Sequence, residues 1–587
     1  MNYNLNDISE KQEKVSSLKA LRKLLQLITE ERRNLLLAVL AIIVNSGINL
    51  SGPFIVGHVI DTYITKKDFN GVMMWAGILL GMYLVAFVAS YLQTRMMGGV
   101  GQRMLFKLRN TIFNKLQELP VAFFNQNKAG DLISRVNNDT DKINQFFSQS
   151  LMQFIGTIVT MTGAGIFLLA INPELGVATL LPGLLIFIIT KLVSPWIKKR
   201  NAVSMQRTGG LSAEIQEGLH NFKVIIAFNR RDYFRNRFEE ANKSNYTSAV
   251  AAGIANNIFI PVYGFFAAVA QLLVLTFGIY LISTGKFSIG LLVSYLAYAV
   301  NFYNPLRQLA ALWANFQVAM AGWDRISYIL SMENNLPILP VATVEKSNDA
   351  IMEFKDVSFG YDDGKEILHH VSFTLEPGKT YALVGPTGGG KTTTASLIAR
   401  LYDPVKGLVL LDNKDIRSYQ PKERADKIGF ILQEPFLFSG TVRENILYGN
   451  EKYIGFSNEQ LEATIKDAGL ESLLNIFEKG LDTELSSSGD SISLGQKQLI
   501  AFMRAVLRNP ALLVLDEATA NIDTITEQIL QNILNKLPSN TTRVIIAHRL
   551  NTIQNADEIF FVNAGEVIRA GSFDHAVNML LHGERRS

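Results

Sequence analysis

The sequence predicts a chain in two parts: an α-helical membrane domain of six spanning helices over residues 34–330, then an α/β domain over residues 351–587. An amino-terminal cytoplasmic segment (1–33) precedes them and a linker (331–350) joins them. Three observations predict this division. Apolar runs too long for a soluble core crowd in front of about residue 325. After Ile351 the pattern changes to short apolar strands alternating with helices, as in a parallel α/β sheet. One of those strands runs into a glycine-rich string that opens a helix.

Composition agrees. At 587 residues the chain exceeds one ordinary globular core, and 48% of it is apolar. The formal charge of +4 is mild and fits cytoplasmic loops that carry Lys and Arg, so no nucleic-acid partner is expected. Cysteine is absent, which excludes disulfides, thiolate metal sites and a cysteine-protease leader domain in this chain. The first apolar run begins after a charged stretch, too late and too long for a cleavable signal, so the amino terminus is expected to stay in the cytosol.

Residues 34–60 contain no Asp, Glu, Lys or Arg, and at about 1.5 Å per residue they exceed a hydrocarbon core of about 30 Å. Further spans are expected at 71–92, 143–173, 175–197, 244–285 and 287–322, with residues 18–33 as an amphipathic surface helix. Lys191 lies close enough to an inner end to snorkel. Residues 95–142 and 198–243 are long, polar and cationic, and are assigned to the cytoplasm. Their helical periodicity predicts stalks that continue the spans beyond the bilayer, each broken by a turn. Arg307, with Asn301, Asn304 and Gln308 at helical spacing, makes the sixth span unusually polar. That pattern reads equally as a substrate pathway or as an inner-end anchor.

In the second part, Gly385-Pro386-Thr387-Gly388-Gly389-Gly390-Lys391-Thr392 follows an apolar strand and precedes a helical stretch that begins at Thr393. Glycines let backbone N–H groups curl around phosphate oxygens at a helix N-terminus. Lys391 would reach the β- and γ-phosphates and the Thr392 hydroxyl would ligate Mg²⁺. Residues 512–517 read as a buried strand ending in Asp516 and Glu517, two carboxylates that are costly unless a cation is near. Asp516 is expected to hold Mg²⁺ through water and Glu517 to orient or deprotonate the attacking water.

With these motifs the second part resembles a nucleotide-binding domain of the ATP-binding cassette (ABC) family, a P-loop ATPase, and the first resembles the six-helix domain of type I ABC exporters. The resemblance implies further roles. Tyr361 would stack on adenine, and residues 385–393 would cradle the phosphates of ATP. Gln433, in Ile431-Leu432-Gln433-Glu434-Pro435, is similar to the Q-loop glutamine that senses Mg²⁺ and the attacking water; His548 is similar to the switch histidine at the γ-phosphate. Residues 124–141 and 224–232 resemble the loops whose short coupling helices press on nucleotide-binding domains.

The resemblance also exposes departures. Family members close ATP between one phosphate loop and a Leu-Ser-Gly-Gly-Gln signature from a second domain, whereas this chain reads Ile492-Ser493-Leu494-Gly495-Gln496. Leu494 puts a side chain where backbone must approach phosphate. Serines stand in the preceding loop (486–488), and residues 520–523 depart from the usual D-loop. Ser493, Gly495 and Gln496 are therefore expected in a degenerate site on the partner's phosphate loop, while Lys391, Gln433, Glu517 and His548 serve a competent one. The implied protein is half of a heterodimeric multidrug-type exporter in the cytoplasmic membrane, partnered by a second half-transporter with an intact signature. The alternatives are a homodimer that tolerates Leu494 and a lipid or glycolipid flippase, which shares every motif.

Overall fold

The computed structural model describes residues 3–5, 31–334, 336–340, 349–361, 365–486, 492–516, 524–546, 554–571 and 573–582. The surface helix expected at 18–33 lies almost entirely outside the described residues. By packing the chain forms two compact units: Lys11–Gln117 with Gly130–Ser331, and Met1–Glu10 with Glu118–Ala129 and Met332–Ser587.

In the first unit, five helices are long and apolar enough to cross a membrane among the described residues: Arg32–Ile64, Phe69–Glu118, Ala129–Ile171, Pro173–His220 and Arg231–Ser283. Several run far past their apolar windows; Phe69–Glu118 alone has 50 residues, about 75 Å of helix. The sixth long helix, Ile289–Ser331, is not among those five. Asn301, Asn304 and Gln308 make it polar in composition, and Tyr295, Tyr298 and Tyr303 add hydroxyls that are buried. Their hydroxyls donate to the carbonyls of Leu168 (2.8 Å), Leu50 (2.6 Å) and Thr179 (2.6 Å). Those bonds tie Ile289–Ser331 to three other helices and meet the cost of polar groups away from water. Elsewhere large apolar side chains such as Phe87, Phe187 and Leu192 face outward, as lipid contact requires.

Two short helices interrupt the long ones. Phe222–Ala227 separates Pro173–His220 from Arg231–Asn257. Val121–Gln126 starts after Pro120, whose fixed φ suits a helix entry. In the second unit Asn125 donates to the Tyr402 hydroxyl at 2.8 Å. Tyr3, nearly fully buried, packs edge-on against Phe123 and its backbone N–H donates to Gln126.

The α/β domain is built on a six-stranded sheet in the order β12-β11-β3-β10-β9-β6. In chain order these are β3 (Thr380–Val384), β6 (Ile428–Ile431), β9 (Leu512–Asp516), β10 (Thr542–Ile546), β11 (Glu558–Asn563) and β12 (Glu566–Arg569). All neighbours pair in parallel except β11 with β12. β9 is buried at every residue and reads as a continuous apolar run, as a strand covered on both faces should. An antiparallel sheet of β1 (Met352–Phe359), β2 (Leu368–Leu375), β4 (Lys406–Leu411) and β5 (Lys414–Asp415) packs beside it through Phe354, Phe373 and Phe560. The register pairs Leu383, Ile546 and Asp516 across β3, β10 and β9. The carboxyl ends of these strands thus share one edge, where ligands bind in open parallel sheets.

Candidate nucleotide-binding site

At that edge β3 turns into the helix Lys391–Ile398 through residues 385–390. Gly385, Gly388 and Gly390 have φ of +148°, +82° and +114°, a region side chains rarely tolerate. At Gly385 a Cβ would overlap the Val562 carbonyl oxygen of β11, and at Gly389 it would lie 2.6 Å from the same atom. The loop can follow this path only because its residues there lack side chains. Lys391 is buried, and its ammonium donates to the carbonyls of Gly385 (2.9 Å) and Pro386 (3.0 Å). A desolvated cation inside the curve of a glycine loop is suited to phosphate oxygens.

Asp516, also buried, ends β9, and the Thr392 hydroxyl donates to its carboxylate at 3.4 Å. Two hard oxygen donors side by side fit Mg²⁺, which takes one or two protein ligands and completes its shell with water and phosphate. No group of three or more acidic or histidine ligands occurs among the described residues. Gln433 is exposed two residues beyond β6, on the same edge. Glu517 and His548 lie outside the described residues, just after the ends of β9 and β10.

Tyr361 is brought to the same place. Its hydroxyl lies 3.1 Å from that of Thr393, in the helix that follows the loop, and its ring meets Phe359 and Tyr402 edge-on. Tyr402 was not singled out by sequence. Burial pushes its hydroxyl pKa up, and Asn125 hydrogen-bonds it, so a chain of contacts runs from Thr393 through Tyr361 and Tyr402 to the helix Val121–Gln126. Tyr402→Phe and Asn125→Ala should each cost about 0.5–1.5 kcal/mol. The double variant should cost no more than one of them, as read by thermal melting; simple additivity would break the link.

The signature residues build a helix start of their own. Ser493 caps the helix Leu494–Val506: its hydroxyl accepts from the Gln496 N–H (3.2 Å), and the Gln496 side chain accepts from the Ser493 N–H (2.8 Å). This reciprocal cap was readable from the Ser-x-x-Gln spacing. Leu494 stands 39% exposed in the first turn, while Gly495 is buried.

Comparison with known proteins agrees with both halves. Residues 35–306 match the family model of the ABC transporter transmembrane region, and residues 368–520 match that of the ABC transporter. A Bacillus subtilis protein described as an uncharacterized ABC transporter ATP-binding protein is 35% identical over 95% of this chain and 92% of its own length. A fatty acid ABC transporter ATP-binding/permease protein of Mycobacterium bovis is 32% identical over 86% of this chain and 79% of its own. A multidrug resistance ABC transporter ATP-binding and permease protein of Lactococcus lactis is 28% identical over 97% of this chain and 96% of its own. The chain therefore belongs to the ABC transporter family, as a half-transporter of the type I exporter kind whose α/β domain couples ATP hydrolysis to transport through a helical membrane domain.

Proposed function

We propose that this protein exports amphiphilic or hydrophobic molecules, in the manner of multidrug exporters, across the cytoplasmic membrane as one half of a heterodimer. Its ATPase domain then lies in the cytoplasm. Lys391 and the loop around it hold the β- and γ-phosphates, Thr392 and Asp516 hold Mg²⁺, with Gln433 beside them, and Tyr361 takes the adenine. Glu517 positions the attacking water, and His548 contacts the γ-phosphate. ATP bound between two such domains favours their closed arrangement, which works only if it binds that arrangement far more tightly than the open one. The names of the multidrug and fatty acid relatives support an amphiphilic cargo.

The observation that carries the heterodimer is Leu494, whose side chain projects from the helix start that must approach phosphate. A homodimer would inherit this defect in both sites; a partner with a regular signature completes one competent site around Lys391. Affinity purification of this chain from its native membranes should bring down a second, different ABC half-transporter in about equal amount. In that complex Leu494→Gly should leave ATP turnover nearly unchanged. Recovery of this chain alone, with turnover raised by Leu494→Gly, would establish a homodimer instead. The runner-up cargo, a lipid or glycolipid flipped between leaflets, is favoured by a polar cavity in the membrane-domain unit.

A further inference from the structure

Within the membrane-domain unit lies a cavity of about 450 Å³, bounded by four helices, a size that holds a small ligand. Its lining is unlike the rest of the bundle. Six carboxamides face it, Asn45, Asn49, Gln93, Gln149, Gln153 and Gln308, together with six hydroxyl side chains. No Asp, Glu, Lys, Arg or His is among the described lining residues. Most of these positions fall inside the apolar spans, in the half nearer the stalks, where each polar side chain costs free energy unless it has a partner.

Only part of the lining is satisfied internally. Asn49 donates to Asn45 at 2.7 Å and Thr160 to Ser46 at 3.3 Å. The side chains of Gln93, Gln149, Gln153 and Gln308 make no hydrogen bond to any described residue. Four amide side chains from three helices, converging on one space without partners among the described residues, amount to four donor–acceptor pairs offered to whatever enters. A carboxamide presents an N–H and a C=O side by side. Its best complement is a group that both accepts and donates without carrying charge. A bare cation would find no carboxylate, and a bare anion no ammonium or guanidinium, among the described lining residues.

We propose that this cavity binds an uncharged, hydroxyl-rich group, such as the sugar headgroup of a neutral glycolipid or a free neutral oligosaccharide. The inference rests on the export reading and names the class of cargo that this part of the path accepts. It distinguishes the cavity from one that selects fatty acids or cationic drugs by charge.

The test uses the intact transporter, with its partner, in lipid nanodiscs without nucleotide. A fluorescent short-chain glucosylceramide should bind, with dodecyltrimethylammonium and laurate binding at least about ten-fold more weakly. Gln149→Leu and Gln153→Leu should each weaken the glycolipid by about ten-fold, the loss of one or two buried hydrogen bonds. Gln149→Glu should weaken the neutral probe and create binding of dodecyltrimethylammonium, a gain that misfolding cannot mimic. Maltotriose binding in place of the glycolipid would keep the chemistry and assign its source to water. Equal binding of the charged amphiphiles, or glycolipid binding unaltered in all three variants, would overturn the proposal. ATP-driven accumulation in inside-out proteoliposomes is read separately. Binding without accumulation sinks the export reading and spares the cavity; accumulation of a charged amphiphile without glycolipid binding does the reverse.

Discussion

Glu517→Gln is expected to lower steady-state ATP turnover by about 10²–10⁴-fold, the usual contribution of a positioned general base, while nucleotide affinity stays nearly the same. The expectation follows from position. Asp516 is the last residue of β9, buried and hydrogen-bonded by Thr392, the residue with which it is proposed to hold Mg²⁺. Glu517 follows it directly in sequence, and the carboxyl end of β9 shares a sheet edge with the phosphate loop. Replacing its carboxylate by an amide keeps size and hydrogen-bonding reach but removes the base. Because phosphoryl transfer relies mainly on positioning and charge stabilisation, which Lys391 and Mg²⁺ still supply, binding should survive. The measurement pairs phosphate release with binding of a fluorescent ATP analogue at saturating Mg²⁺. Turnover within about ten-fold of the parent would remove Glu517 from the catalytic role. A variant that stays monomeric with saturating Mg²⁺-nucleotide would undo the shared-site scheme altogether.

The contrast between what sequence discloses and what it hides follows the range of the interactions. The phosphate loop was legible because its requirements are local: a strand, glycines at backbone angles forbidden to other residues, a lysine and a threonine at fixed spacing. The apolar runs before residue 325 were legible for the same reason, since a bilayer tests composition over a single helix. Ile289–Ser331 shows where that test weakens. Asn301, Asn304 and Gln308 lower its apolarity, and only the carbonyls of Leu50, Leu168 and Thr179 explain why its tyrosine hydroxyls sit inside a bundle. Gln308 stands out as polar in an apolar stretch of sequence, but its convergence with Gln93, Gln149 and Gln153 exists only in the packed helices. The Asn125–Tyr402 bond joins residues 277 positions apart, and no spacing rule reaches that far. Ser493 and Gln496 carry the converse lesson: read for their resemblance to a ligand-binding signature, they also form a helix cap that satisfies two backbone donors by itself.

Gly385→Ala is expected to abolish nucleotide binding, a loss on the order of 100-fold or more, and to lower the melting temperature of the transporter. Two separate costs meet at this residue. Its φ of +148° lies where an alanine is strained by about 1–3 kcal/mol. The added methyl also collides with the Val562 carbonyl oxygen, a rigid backbone atom in the strand that pairs with β3, so relief requires moving the loop or the sheet edge. Moving the loop displaces the Gly385 and Pro386 carbonyls that hold the Lys391 ammonium, and with them the cation meant for phosphate. Gly388→Ala separates the two costs. At φ +82° it carries the strain, but a Cβ there meets nothing within 4 Å, so it should be milder in both melting and affinity. The comparison is made by melting in detergent or nanodiscs and by titration with a fluorescent ATP analogue. If the two variants lose affinity equally, backbone strain alone accounts for the effect, and the close approach of the loop to β11 has no part in shaping the phosphate site.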